Sequence, residues 1–158
     1  MGHKLSTQQF STGTRALIPW LGRETDVLIQ DMVETLSERR PDLLAVILYG
    51  SVAHREQRPL DDEEPSDVDL LAVFDTSDEL FYVHQGREVI GNLGLARERH
   101  LDAPREVQVM FASRTLGEWD PAFVENVARD GLLLFARGPL PVPLGGVRPI
   151  AAPSRRAY

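Results

Sequence analysis

Two apolar runs, Leu43–Tyr49 (Leu-Leu-Ala-Val-Ile-Leu-Tyr) and Val68–Phe74 (Val-Asp-Leu-Leu-Ala-Val-Phe), constrain this chain more than any other feature. Both are short and close to continuously apolar, the pattern of strands covered on both faces. The first runs straight into Gly50, a position suited to a sharp turn, and the second begins among acidic residues. Around them the period changes. Val27, Leu28, Met32, Val33 and Leu36 recur at three- and four-residue intervals and predict a helix over 23–40, stopped by Pro41. Leu80, Val83, Val89, Ile90, Leu93 and Leu95 predict one helix over 79–100, or a turn and a helix broken near Gly86 or Gly91. The stretch 106–111 alternates, which places Val107, Val109 and Phe111 on one face of a third strand and Glu106, Gln108 and Met110 on the other. Asp120-Pro121 has the form of a helix start, an acid at the cap and proline in the first turn, and the helix is expected to run to about Asp130. A short strand, 132–135, follows Gly131. Strands interleaved with helices make the expected fold class α/β (α+β).

At 158 residues the chain has the length of one domain. We divide it into a flexible polar N-terminus (1–14), a central domain (15–137) and a Pro/Gly-rich tail (138–158) in which proline disfavours regular sheet or helix. The formal net charge of -7 argues against a broad nucleic-acid-binding surface, which needs many cations to displace counterions. The absence of cysteine removes a disulfide framework, a thiolate nucleophile and a cysteine zinc site, and makes the cytoplasm the expected compartment. No apolar run approaches the roughly 18–20 residues that cross a bilayer, and the chain does not open with a signal peptide, so no membrane association is expected.

The chemistry is concentrated in Leu48-Tyr49-Gly50-Ser51-Val52-Ala53, a loop, and Ser66-Asp67-Val68-Asp69-Leu70-Leu71. Residues two apart on a strand face the same way, so Asp67 and Asp69 present two carboxylates on one face. Hard divalent cations prefer oxygen ligands, and magnesium takes one or two carboxylates with phosphate oxygens and water. Gly50 permits close backbone approach, and Ser51 with the following amides can hydrogen-bond phosphate, above all if a helix begins near Val52. The four histidines, His3, His54, His84 and His100, lack metal-site spacing. A purely structural reading, with Asp67 capping the loop and Asp69 in solvent, stays open.

These residues resemble the minimal nucleotidyltransferases of the DNA polymerase beta superfamily, whose pattern is an apolar strand, Gly-Ser, a small stretch, a loop, and Ser-Asp-x-Asp-Leu entering a second strand. The chain matches at Gly50, Ser51, Ala53, Ser66, Asp67, Asp69 and Leu70, and the resemblance spans 43–137. It implies a nucleotidyltransferase fold, a small mixed β-sheet packed against helices. It further implies Mg2+ on Asp67 and Asp69, ATP or another nucleoside triphosphate held by Gly50, Ser51, Arg55 and Ser66, and transfer of AMP to an acceptor hydroxyl.

Short members are often paired with a helical toxin-type partner protein in toxin–antitoxin systems, which makes a partner hydroxyl the leading acceptor. An aminoglycoside-type enzyme is the enzymatic alternative, and a degenerate nucleotide- or partner-binding, antitoxin-like domain the non-enzymatic one. Three departures stand out. His54-Arg55 replaces the usual Arg-Gly after Ala53. Fifteen residues separate Ser51 from Asp67, with an acidic loop (58–65) expected near the site mouth. Gln108 stands where the family has its third carboxylate, leaving Glu106, two residues earlier on the same face, as the candidate third ligand or base.

Overall fold

A computed structural model describes residues 17–116 and 119–150. The expected flexible N-terminus (1–14) lies outside them. The elements, in order, are α1 (Arg23–Arg39), β1 (Leu43–Tyr49), β2 (Val68–Phe74), α2 (Phe81–Arg99), β3 (Val107–Ser113), α3 (Pro121–Asp130), β4 (Leu132–Ala136) and β5 (Arg148–Pro149), with single 3-10 turns at Pro19–Leu21 and Val142–Leu144. The sheet is mixed, in the order β3-β2-β1-β4-β5. β1 pairs antiparallel with β2 and with β4, whereas β2/β3 and β4/β5 are parallel. This is the expected α/β class, and both apolar runs lie in the middle of the sheet, where strands have two faces to bury.

One face, carrying Val46, Leu48, Leu70, Ala72, Phe74 and Phe111, packs under α1 and α2. The other, carrying Ala45, Ile47, Leu71, Val73 and Ala112, packs under Val124 and Val127 of α3 and under Leu144 and Val147. Burial of each large aliphatic side chain contributes about 2 kcal/mol. Asp31 ties α1 to the end of α2, accepting two hydrogen bonds from Arg99 at 2.8 Å and pairing with His100 at 2.9 Å. After Pro41 ends α1, Arg137 donates to the carbonyls of Ser37, Arg40, Pro41 and Leu43, supplying partners that a helix end lacks. At the other end of the sequence pattern, Asp120 accepts from the Ala122 amide at 2.9 Å and Pro121 occupies the first turn of α3, as the cap signal requires. α3 then passes into β4 at Gly131, where a Cβ would stand 2.5 Å from the Val127 carbonyl and 2.8 Å from Ile47 Cγ2.

Of the two readings of 79–100 the single helix is the one observed: α2 runs unbroken from Phe81 to Arg99 through Gly86 and Gly91, and a Cβ added at Gly86 would make ordinary contact with the Phe111 ring at 3.4 Å. The expectation for the tail is corrected. The described part of the tail folds into the sheet. Leu144 and Val147 enter the core on either side of Gly145-Gly146, and 148–149 pair with β4, with the Ile150 amide donating to Leu133 O at 3.0 Å. Pro149 is tolerated because β5 is an edge strand. Among the described residues no helix is long and apolar enough to cross a membrane.

Candidate functional site

β1 ends and β2 begins at the same end of the sheet, because the two strands are antiparallel neighbours with Tyr49 opposite Asp69. The parallel β3 then brings Gln108 opposite Asp69 from the other side. Strand alternation places Asp69 on the face of Leu71 and Val73, and Asp67, one residue before β2, is held on the same side by Gln108, which is level with Asp69 on β3. Gly50 follows at φ +81, and a Cβ on it would lie 2.8 Å from Asp69 Oδ2, so the Asp69 carboxylate rests directly against the glycine. The turn after Gly50 is a run of i-to-i+3 hydrogen bonds, Ala53 to Gly50, His54 to Ser51 and Arg55 to Val52, and no α-helix begins at Val52.

Burial first, and the Asp67 charge second, push the Asp69 carboxyl above the ordinary carboxylate range. The Tyr49 hydroxyl is raised to about 12, by burial and then by the Asp69 charge. Among the described residues neither Asp67 nor Asp69 has an ion-pair partner. Two neighbouring carboxylates that repel each other, Asp69 against the Gly50 turn and Asp67 accepting the Gln108 amide, fit a hard divalent cation completed by phosphate oxygens and water. Asp67 and Asp69 would hold it, and it would supply charge neutralisation for a bound triphosphate. Asp69 carries a linkage consequence of its own. Its folded-state pKa is raised, so the stabilising state is the protonated one: stability is present at acid pH and falls as pH rises through the folded pKa. Asp69→Asn, a neutral isostere, is therefore expected to raise the thermal midpoint of the cation-free chain at pH 7 and to flatten this part of its pH dependence, measured by calorimetric unfolding between pH 4 and 8. A lower midpoint at pH 7 would count against the uncompensated charge.

The remaining sequence-derived residues are placed as follows. Ser51 is half-buried, and its carbonyl accepts from the amides of His54 and Glu56. Ser66 is buried, its hydroxyl accepting from the Arg58 amide at 2.7 Å and its carbonyl from Arg105 at 2.9 Å. Together they close the acidic loop at its base, one residue before Asp67. Arg55 adopts φ +59 at the position where the family pattern has glycine, and its guanidinium lies 4.2 Å above the Trp20 ring, while Trp20 Nε1 donates to Val52 O at 2.8 Å. Glu106 is exposed, and its backbone carbonyl accepts from Val68 at 2.8 Å. The structure does not gather Asp67, Asp69 and Glu106 into a trio: among the described residues no three acidic, His or Cys side chains converge to hold a metal. Instead Gln108 Nε2 donates to Asp67 Oδ2 at 2.8 Å.

Sequence reasoning missed Tyr49 and Trp20. Tyr49 was legible as the strand residue before Gly50; nothing local marks Trp20. A cavity of about 450 Å3 between Pro41, Asp75, Arg114 and 137–142 sits at the opposite end of β1 from Gly50 and is no part of this site.

In motif spacing and in the mixed sheet that carries it, the chain resembles nucleotidyltransferase-type domains. Two solved structures are similar to it. A toxin–antitoxin crystallised with AMP-PNP shares 21% identity over 67% of this chain and 71% of that chain, with a TM-score of 0.45. A candidate nucleotidyltransferase from Sulfolobus solfataricus shares 19% identity over 80% of this chain and 92% of that chain, with a TM-score of 0.42. No model of a known protein family and no curated protein matches the chain.

Proposed function

We propose that the chain is a divalent-cation-dependent nucleotidyltransferase that moves a nucleoside monophosphate, AMP from ATP, to an acceptor hydroxyl on a helical toxin-type partner protein in the cytoplasm. The observation that carries this reading is the Asp67/Asp69 pair, with no ion-pair partner among the described residues and with Asp69 set against the Gly50 turn where β1 ends beside the start of β2. In the transfer, the acceptor oxygen bonds to the α-phosphorus, the bond to the pyrophosphate oxygen breaks, and pyrophosphate leaves with that electron pair. Such reactions depend mainly on positioning and charge neutralisation. Gly50 and Ser51 are assigned to the phosphates, with Arg55 and Ser66 flanking them, and Glu106 is the candidate to take the hydroxyl proton. Magnesium on Asp67 and Asp69 supplies Lewis-acid stabilisation when bound. A second reading, a nucleotide- or partner-binding domain without turnover, draws on the amide at Asp67 in place of a third carboxylate.

The test is calorimetric titration of ATP and the other triphosphates, with and without Mg2+, into the wild type and an Asp67→Asn/Asp69→Asn double variant. Binding is expected only with Mg2+ and is expected to weaken at least about 100-fold in the variant, or about 2.7 kcal/mol. A folded wild type that takes no triphosphate sinks the reading.

A further inference from the structure

We infer that Gln108 restricts the acidic pair to a single divalent cation, and that one substitution at this position opens a second cation site on the β3 side. The inference rests on the nucleotide reading above and specifies how that site is loaded. Its basis is the set of oxygens left open. Asp67 and Asp69 offer four carboxylate oxygens; Asp69 Oδ2 is packed against Gly50, and Asp67 Oδ2 accepts the Gln108 amide at 2.8 Å. The Gln108 N–H carries a partial positive charge and occupies the direction from which a second cation would approach Asp67 from β3. A cation there would face a donor where it needs an acceptor.

Register leaves little room for another residue to intervene. β2 and β3 are parallel, with Asp69 level with Gln108, so of the side chains on this face of β3, Gln108 stands directly beside the pair. Met110, two residues on, is apolar, and Glu106, two residues back, joins no metal-holding trio among the described residues. Two-cation phosphoryl-transfer centres hold their ions roughly 3.5–4 Å apart, bridged by carboxylates that touch both. Here the side chain placed to complete such a bridge is a neutral amide, which would have to turn over and give up its hydrogen bond to Asp67 before Oε1 could face a cation.

The isosteric change Gln108→Glu reverses this. It places a carboxylate oxygen at the Nε2 position, 2.8 Å from Asp67 Oδ2, where two anionic oxygens repel unless a cation or a proton lies between them. Gln108 is exposed, so the substitution does not disturb the core. Gln108 is a positioning residue in this account, since it acts on the cations through Asp67, and the readout has to be the cations themselves.

The experiment is electron paramagnetic resonance of Mn2+ bound to the full chain in the presence of an ATP analogue that cannot be cleaved between the α- and β-phosphorus. The wild type is expected to hold one magnetically isolated Mn2+ per chain, and Gln108→Glu two, with the spin coupling of a closely spaced pair. A coupled pair in the wild type overturns the inference, as does a variant that still holds one ion. A wild type holding no Mn2+ with the analogue overturns the nucleotide reading itself, and the inference with it.

Discussion

Gly50→Ala is expected to cost about 3 kcal/mol of stability and to remove cation-dependent nucleotide binding from the protein that remains folded. Two independent effects add. At φ +81 an L residue pays for the left-handed backbone, about 1–2 kcal/mol. The new methyl would also stand 2.8 Å from Asp69 Oδ2, well inside van der Waals contact, and overpacking of this kind costs about 1–3 kcal/mol. The least costly relief is rotation of the Asp69 side chain away from the turn, which separates it from Asp67 and dismantles the proposed cation site. Gly22 is the control: its φ is +85, but a Cβ there meets nothing within 4 Å. Gly22→Ala should lose stability through backbone strain and keep its affinity for triphosphate with Mg2+. Denaturant unfolding and calorimetric titration of both variants separate strain from site damage, and equal nucleotide affinity in the two would show that Asp69 does not depend on Gly50.

The parts of this molecule that could be read in advance are those whose signal is local. The unbroken apolar character of 43–49 and 68–74 follows from their central place in a sheet packed on both faces, and Asp120-Pro121 marks α3 because cap and proline act within one turn. The facing of Asp67 and Asp69 needs only the two-residue period of a strand. What was illegible depends on residues distant in sequence. The polar nature of Gln108 was plain, yet its hydrogen bond to Asp67 exists only because β3 lies parallel to β2 in one register. Arg55 departs from the family's glycine, and Trp20, far back in the chain, supplies the ring on which its side chain rests. In the tail, proline content masked two apolar side chains, Leu144 and Val147, whose burial outweighs the poor sheet propensity around them.

Asp26→Ala should be the most damaging single change outside the candidate site, costing about 4 kcal/mol, and its effect should reach the turn after Gly50. Asp26 is 3% exposed in the first turn of α1. Its carboxylate accepts from the backbone amides of Leu17 and Ile18 and, at 2.6 Å, from Gln30 Nε2. Hydrogen bonds to a charged acceptor contribute about 1.5–3 kcal/mol each, and the donors stranded by truncation retain their desolvation penalty. Asp26 also lies near the positive end of the α1 dipole, where a negative charge is favoured. Removing it frees the 17–21 segment, and that segment carries Trp20, which donates to Val52 O at 2.8 Å and supports Arg55. Loss of this support loosens the turn that follows Gly50-Ser51. Asp26→Asn retains one acceptor oxygen and should lose about half as much. Denaturant unfolding gives the stability, and amide hydrogen exchange at Val52 to Arg55 reports the turn. A loss under about 1 kcal/mol, or unchanged exchange at the turn in Asp26→Ala, would break the expected connection between the buried carboxylate and the turn after Gly50.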